Sequence, residues 1–189
     1  MMTRTRRSRR FVLPALLAFT LGCVGAQSTR VAPVSAATTV VVVRHAEKST
    51  DDPRNPSLSP EGRSRAIALS ALLRNAGVTD IYTTQYKRTR QTAEPLAQQF
   101  GIEIVERPVT AANSATYARD LAQEILTRSA GKGVLVVGHS NTVPDIVKAL
   151  SGSAVPAIAD PEYDHIFVVV IPPSGSPRLM QLGFGRPVS

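Results

Sequence analysis

The feature that most constrains the fold is a run of four valines, residues 40–43, which ends in Arg44 and His45. A continuous β-branched run of this kind predicts a strand that is buried on both faces, as in a parallel sheet. In open α/β sheets, ligands bind just past the carboxyl ends of the strands. We therefore expect a guanidinium and an imidazole side by side at the edge where such a sheet places its functional site.

Two further stretches bring matching side chains to strand ends. Residues 134–137 form a second buried-type strand that leads to His139, and residues 80–83 form a short strand followed by a helix that carries Arg88. The carboxyl ends of neighbouring parallel strands meet at one edge of a sheet. If these strands are neighbours, two imidazoles and at least two guanidiniums converge there with His45.

Strand-like and helical stretches alternate along the chain, which predicts an α/β fold rather than an all-β fold or a helix bundle. With 189 residues, 43% of them hydrophobic, the chain can bury one sizeable core. The predicted strands are residues 39–43, 80–83, 102–105 (near an edge), 134–137, 166–171 and 179–184. The predicted helices run from an N-cap at Ser59 to Gly77, over 87–100 with a break or kink at Pro95, around 118–125 and over 143–150. Residues 47–56 predict an exposed, mobile loop.

The N-terminal segment, residues 1–26, has the pattern of an export signal. A basic start is followed by an apolar stretch over 11–22 and by small residues at 24–26. Arg9 and Arg10 also fit a twin-arginine signal, and an ordinary secretory signal is the alternative. We therefore expect a signal over 1–26, a linker over 27–38 and one domain over 39–189. The expected location is periplasmic or secreted.

The single cysteine, Cys23, lies where a bacterial lipoprotein carries its lipid, although the preceding residues fit that motif poorly. Cleavage after Ala26 would remove it. The membrane is therefore expected as a partner only through the signal or through a lipid on Cys23. No cysteine remains for a disulfide or a zinc cluster in the domain.

The formal charge of +8 does not indicate a nucleic-acid partner. Five of the 22 basic residues precede residue 27, where no acid occurs, and the remainder has 17 basic against 14 acidic residues. No basic stripe interleaved with aromatic residues follows in the domain. We therefore expect no nucleic acid as a partner.

The convergence of Arg44, His45, Arg88 and His139 suits a small phosphorylated substrate. Guanidiniums bind phosphate oxygens in bidentate fashion. A neutral imidazole can attack phosphorus and form a phosphohistidine. The arginines and the second histidine would then stabilise the charge that spreads over the equatorial oxygens.

Three motifs resemble those of the histidine phosphatase superfamily, the phosphoglycerate mutase-like clan. They are VRHAEK at residues 43–48, YTTQYKRTRQTA at 82–93 and VGHSNT at 137–142. The resemblance covers the chain after the linker and is to the compact phosphatases of the clan. It implies a three-layer α/β/α sandwich with a mostly parallel central sheet, and it implies neither a metal nor an organic cofactor. It also implies that His45 is the phosphorylated nucleophile and that Arg44, Arg88 and His139 complete the phosphate pocket.

The acid that protonates the leaving oxygen is not evident. Ser140 stands directly after the second histidine, where one branch of the family has its acid. We name Glu106, just past a predicted strand end, and Glu162, just before a later strand, as the candidate donors. Other carboxyl groups left open are Glu47, Asp51, Glu103, Asp120 and Asp164. A member without a dedicated acid would be confined to good leaving groups.

Two alternatives remain open. A serine hydrolase would use Ser140, because residues 138–142 nearly match G-x-S-x-G and acidic residues followed by His165 come later in the chain. Thr142 replaces the last glycine of that motif, however, and Arg44, His45 and Arg88 would have no role. The second alternative is a non-catalytic phosphate-binding module that keeps the pocket without turnover.

Overall fold

Strands and helices alternate along the part of the chain that the computed structural model describes, residues 36–185. The predicted export signal, with Cys23, and most of the predicted linker lie outside these residues. In chain order, the elements are β1 (Thr38–Arg44), α1 (Pro60–Leu73), β2 (Val78–Thr83), α2 (Lys87–Phe100), β3 (Ile104–Glu106), α3 (Tyr117–Arg128), β4 (Gly133–Gly138), α4 (Val143–Ser151), β5 (His165–Ile171) and β6 (Arg178–Gly183).

The strands form one six-stranded sheet in the order β3-β2-β4-β1-β5-β6. β1, β2, β3 and β4 run parallel to one another, and β5 is antiparallel to both β1 and β6. The pairing register aligns Arg44 with Gly138, and Val137 with Thr83 on the other side of β4. The carboxyl ends of β1, β4 and β2 therefore lie side by side at one edge of the sheet, as the sequence predicted for neighbouring strands.

Helices cover both faces of the sheet, which explains the unbroken valine run. Val40 and Val42 pack on one face in a core with side chains of α3 and α4. Val41 and Val43 pack on the other face with side chains of α1 and α2. Successive strand side chains point to opposite faces, so both must be apolar when both faces are covered. The three-layer α/β/α sandwich with a mostly parallel sheet is confirmed.

Of the break or kink predicted at Pro95, the break is absent. Residues 87–100 form one continuous helix, with no break at the proline. Leu96 and Ala97, which follow it, are buried in the core. Burial of this apolar turn compensates for the hydrogen bond that proline cannot donate. Gly101, at a φ of 66°, ends the helix and donates to the Ala97 carbonyl.

The loop between β1 and α1, predicted to be mobile, is held by its own side chains. Asp51 accepts hydrogen bonds from the Ser49 hydroxyl and from the backbone N–H and hydroxyl of Ser57. Asn55 Oδ1 accepts from the backbone N–H of Lys87, the first residue of α2, at 2.9 Å. The loop is therefore attached to the helix that carries Arg88. Within residues 36–185, no helix has the length and apolar character needed to cross a membrane.

Candidate active site

The two predicted histidines lie next to each other at the carboxyl edge of the sheet. The backbone N–H of His45 donates to the Gly138 carbonyl at 2.9 Å, which continues the β1–β4 pairing past the strand ends. The centroids of the His45 and His139 rings are 5.3 Å apart, and the ring planes lie at 64°. Both side chains are almost fully buried. Parallel pairing of β1 with β4 therefore brings the two imidazoles into contact.

His45 is held in one tautomer by its neighbour along the chain. Its Nδ1 lies 2.8 Å from the Ala46 carbonyl oxygen. A carbonyl only accepts, so Nδ1 carries the proton and the lone pair of the neutral ring is on Nε2. Burial lowers the pKa of His45 to about 3; the Ala46 carbonyl opposes this shift, and the nearby His139, Arg88 and Arg44 add to it. At neutral pH the ring is thus an uncharged base with a free Nε2.

His139 has the opposite tautomer. Its Nδ1 lies 3.3 Å from Nη2 of Arg88, and a guanidinium only donates. The proton of neutral His139 is therefore on Nε2, which donates to Thr84 Oγ1 at 2.9 Å. Burial and, to a smaller extent, the charges of Arg88 and Arg44 lower the pKa of His139 to about 4.

Thr84 was not singled out from the sequence, although it follows β2 directly, as His45 follows β1. Its hydroxyl accepts from His139 and lies 3.0 Å from Thr89 Oγ1. Thr89, in the first turn of α2, donates to the Tyr86 carbonyl at 2.8 Å. These bonds form one consistent donor chain from His139 through two buried hydroxyls to the backbone. A hydroxyl residue just past a strand end was the signal that could have found Thr84.

Arg44 is oriented by a loop that the sequence did not connect with it. Its Nη1 lies 2.7, 2.8 and 3.1 Å from the carbonyl oxygens of Ala159, Asp160 and Glu162, and its Nη2 lies 3.2 Å from Asp160 Oδ1. The guanidinium lies over the Tyr163 ring, 4.2 Å from its centroid. A buried guanidinium needs such partners to offset its lost hydration. This loop, residues 159–163, therefore fixes the direction of Arg44.

The two arginines retain unsatisfied donors. The Nε atoms of Arg44 and Arg88 are buried and have no hydrogen-bond partner among the described residues. The Arg88 guanidinium lies over the Tyr86 ring, 4.4 Å from its centroid. Unpaired buried N–H groups cost free energy, and an anion in the site would offset that cost. These donors and the two imidazoles give the site the chemistry of an oxyanion pocket.

The carboxylates of the two candidate proton donors contact other groups. Glu106, at the end of β3, forms an ion pair with Arg90 at 3.0 Å. The Glu162 carboxylate accepts from the Ala159 N–H at 2.7 Å, which lowers its pKa, and it lies 3.5 Å from His165 Nε2. Only the backbone carbonyl of Glu162 contacts Arg44.

The geometry around Ser140 gives no support to a serine hydrolase. No described imidazole is hydrogen-bonded to the Ser140 hydroxyl; the partners of His45 and His139 are those given above, and His165 contacts Glu162. A nucleophile elbow is a strained turn. Within residues 36–185, no residue other than glycine has a positive φ. In the same part of the chain, no group of three His, Cys, Asp or Glu side chains is placed to hold a metal ion.

The fold and site define a three-layer α/β/α protein with a two-histidine, two-arginine pocket at the carboxyl edge of its sheet. Residues 40–109 match the family model of the histidine phosphatase superfamily (branch 1). This match contains the first two of the three motifs that resemble those of the superfamily, at residues 43–48 and 82–93.

Three known proteins are similar to this chain in sequence or in fold. The 8-oxo-(d)GTP phosphatase of Mycolicibacterium smegmatis is 29% identical over 117 residues, which is 58% of this chain but only 36% of that protein's length. The mycobacterial glucosyl-3-phosphoglycerate phosphatase has the same fold at 17% identity, with a TM-score of 0.59 over 76% of this chain and 97% of the other. The protein histidine phosphatase SixA, complexed with tungstate, is 18% identical with a TM-score of 0.57 over 77% of this chain and 96% of the other.

Proposed function

We propose that the chain is a phosphatase that hydrolyses a small phosphorylated substrate through a phosphohistidine on His45. The observation that carries the proposal is the pocket itself. Two uncharged, buried imidazoles meet the buried Arg44 and the partly buried Arg88, each with a buried, unpaired Nε–H, and neither imidazole has a carboxylate partner among the described residues. The proteins to which the chain is similar are named as phosphatases, which supports the same reaction class.

In the first step, Nε2 of His45 attacks phosphorus, and the bond from phosphorus to the leaving oxygen breaks. The Ala46 carbonyl holds the proton on Nδ1, so the Nε2 lone pair is available without a prior deprotonation. Arg44 and Arg88 donate to the equatorial phosphate oxygens as charge develops on them, while His139 accepts from Arg88 and so orients its guanidinium. The loop 159–163 holds Arg44 for this role before substrate arrives, so little reorganisation is needed.

In the second step, water attacks the phosphohistidine, inorganic phosphate leaves and neutral His45 is regenerated. For ester substrates, the leaving oxygen needs a proton in the first step, and Glu162 or Glu106 would supply it. Glu162 is the better of the two, because its backbone lies against Arg44 whereas Glu106 is paired with Arg90. Both carboxylates have other partners in the free protein, so we expect slow turnover of esters with poor leaving groups.

Trapping of the covalent intermediate tests the nucleophile. The full chain is quenched during turnover of a 32P-labelled phosphate ester, and we expect a protein-bound label that acid releases and base does not. His45→Ala should remove the label, whereas the matched variant His165→Ala should keep it. A label retained by His45→Ala would refute the assignment. If the unmutated chain binds phosphate but hydrolyses no member of a broad phosphoester panel, the chain is a binding module instead.

Leaving-group dependence tests the proton donor. p-Nitrophenyl phosphate leaves without a proton, whereas glycerol 1-phosphate needs one. Glu162→Gln should lower kcat for glycerol 1-phosphate about tenfold or more relative to p-nitrophenyl phosphate, and Glu106→Gln should keep that ratio. If Glu106→Gln alone lowers the ratio, the roles are reversed. If neither variant changes it, neither residue is the donor.

We further propose that residues 1–26 export the protein to the periplasm or the medium. The basic start and apolar stretch of this segment support the proposal. Fractionation of cells that express the tagged full chain should find it outside the cytoplasm. Replacing both Arg9 and Arg10 by lysine should stop export only if the twin-arginine route is used. Replacing Cys23 by serine should release the chain from membranes only if that residue is lipidated.

A further inference from the structure

A groove beside the phosphate pocket is lined by the loop 48–56 and by Arg88, and we call it the basic groove. Its volume is about 360 Å³, which is within the range of small-molecule sites. Arg88 belongs both to the groove and to the pocket, because its Nη2 contacts His139. A group bound in the groove therefore lies next to a phosphoryl group bound at the histidines.

The groove has an excess of positive charge. Lys48 and Arg54 line it together with Arg88, and neither forms an ion pair among the described residues. The one acid in its wall, Asp52, faces Lys87 with its carboxylate 3.9 Å from Nζ. Two cations without a protein partner remain beside Arg88, and they match an anionic ligand.

The groove is built on fixed structure. Its loop is closed on itself by the hydrogen bonds of Asp51, and it is attached to α2 at two points. Asn55 accepts from the Lys87 N–H, and Gln91 Oε1 accepts from the Leu58 N–H at 2.8 Å. Because α2 also carries Arg88, these bonds hold the backbone of the loop beside the phosphate pocket.

We propose that the basic groove binds the leaving group of the substrate, and that this leaving group is itself a phosphate. The substrate would then be a di- or triphosphate whose terminal phosphoryl group is transferred to His45. This inference rests on the proposed phosphatase function. A phosphate leaving group also suits a site whose candidate proton donors are paired elsewhere, because it departs as a stable anion at neutral pH.

The reaction balances without a proton donor. Nε2 of His45 bonds to the terminal phosphorus as the bond to the bridging oxygen breaks, and that oxygen keeps the electron pair on the departing phosphate. Lys48, Arg54 and Arg88 neutralise the charge that it gains. Water then cleaves the phosphohistidine, so one diphosphate and one water give two phosphate groups and one proton released to solvent.

Substrate comparison with groove variants tests the proposal. The full chain is assayed with ADP, p-nitrophenyl phosphate and glycerol 1-phosphate. We expect kcat/KM for ADP to exceed that for glycerol 1-phosphate by about a hundredfold or more. Lys48→Met and Arg54→Met should each lower the ratio of kcat/KM for ADP to that for p-nitrophenyl phosphate by about tenfold. Lys148→Met, on the exposed side of α4, removes the same charge elsewhere and should keep the ratio.

The outcomes separate the two proposals. Hydrolysis of p-nitrophenyl phosphate without preference for ADP over glycerol 1-phosphate would overturn the assignment of the groove and leave the phosphatase function standing. An unchanged ratio in both groove variants, with unchanged circular dichroism, would do the same. If the unmutated chain hydrolyses none of the three substrates, both proposals fail.

Discussion

Burial of the two histidines should make the protein lose stability in mild acid, and replacing them should remove that loss. The unfolded chain takes up a proton at each imidazole as the pH falls through about 6.5, whereas folding lowers the pKa of His45 to about 3 and that of His139 to about 4. Between these limits the unfolded state binds more protons. The free energy of unfolding therefore falls as the pH falls below about 6.5.

The magnitude follows from these pKa values. One pKa unit corresponds to about 1.36 kcal/mol, so each histidine should cost about 2 kcal/mol of stability between about pH 7 and about pH 5. His45 and His139 together cost about 4 kcal/mol, a large part of the roughly 5–15 kcal/mol that folded domains have in total. Carboxyl groups add little in this window, because they titrate mostly below it.

Urea unfolding at the two pH values measures the effect. The unmutated chain should lose about 4 kcal/mol between them, and His45→Asn and His139→Asn should each lose only about 2 kcal/mol. The difference between the two pH values is the result that counts, since each variant also changes packing. His165→Asn removes a half-exposed histidine and should show the loss of the unmutated chain.

A loss of stability in the variants as large as that of the unmutated chain would refute the reasoning. It would mean that burial does not keep these imidazoles uncharged in the folded protein. The availability of the His45 lone pair at neutral pH would then need another explanation. An unchanged urea m-value is required for the comparison, because a changed m-value would indicate a different unfolded state.

Three further changes test single features of the site. Arg44→Lys keeps the charge but cannot reproduce the three hydrogen bonds to the carbonyls of the loop 159–163. We therefore expect kcat/KM for p-nitrophenyl phosphate to fall about a hundredfold, and a fall of less than about threefold would contradict this role of Arg44. Thr84→Val leaves the His139 Nε2–H without an acceptor and should lower kcat about tenfold. KM measured in the same assay separates this effect from an effect on substrate binding. Gly62→Ala places a Cβ about 2.2 Å from the Glu47 carbonyl oxygen. It should lower the free energy of unfolding by about 3 kcal/mol, and an unchanged urea midpoint would contradict this.

The local patterns of the sequence predicted most of the fold. The valine run of β1 and residues 134–137 of β4 are apolar at every position because helices cover both faces of the sheet. The Ser59-Pro60 start of α1 is confirmed, with Ser59 Oγ accepting from the Gly62 N–H at 3.1 Å. A helix break at Pro95 was one of two predicted outcomes, and it is absent because burial of the following turn lies in tertiary packing and not in local propensity.

The sequence alone determined which side chains follow the ends of β1 and β4, because strand and helix periodicity is a local property. It thereby selected Arg44, His45 and His139, and the motif after β2 selected Arg88. Only the tertiary structure decided that Tyr163 and the carbonyls of residues 159–162 orient Arg44, and that Thr84 accepts from His139. Arg44 and its loop are separated by more than a hundred residues. Contacts of this range depend on how the strands are ordered in the sheet, which no local pattern encodes.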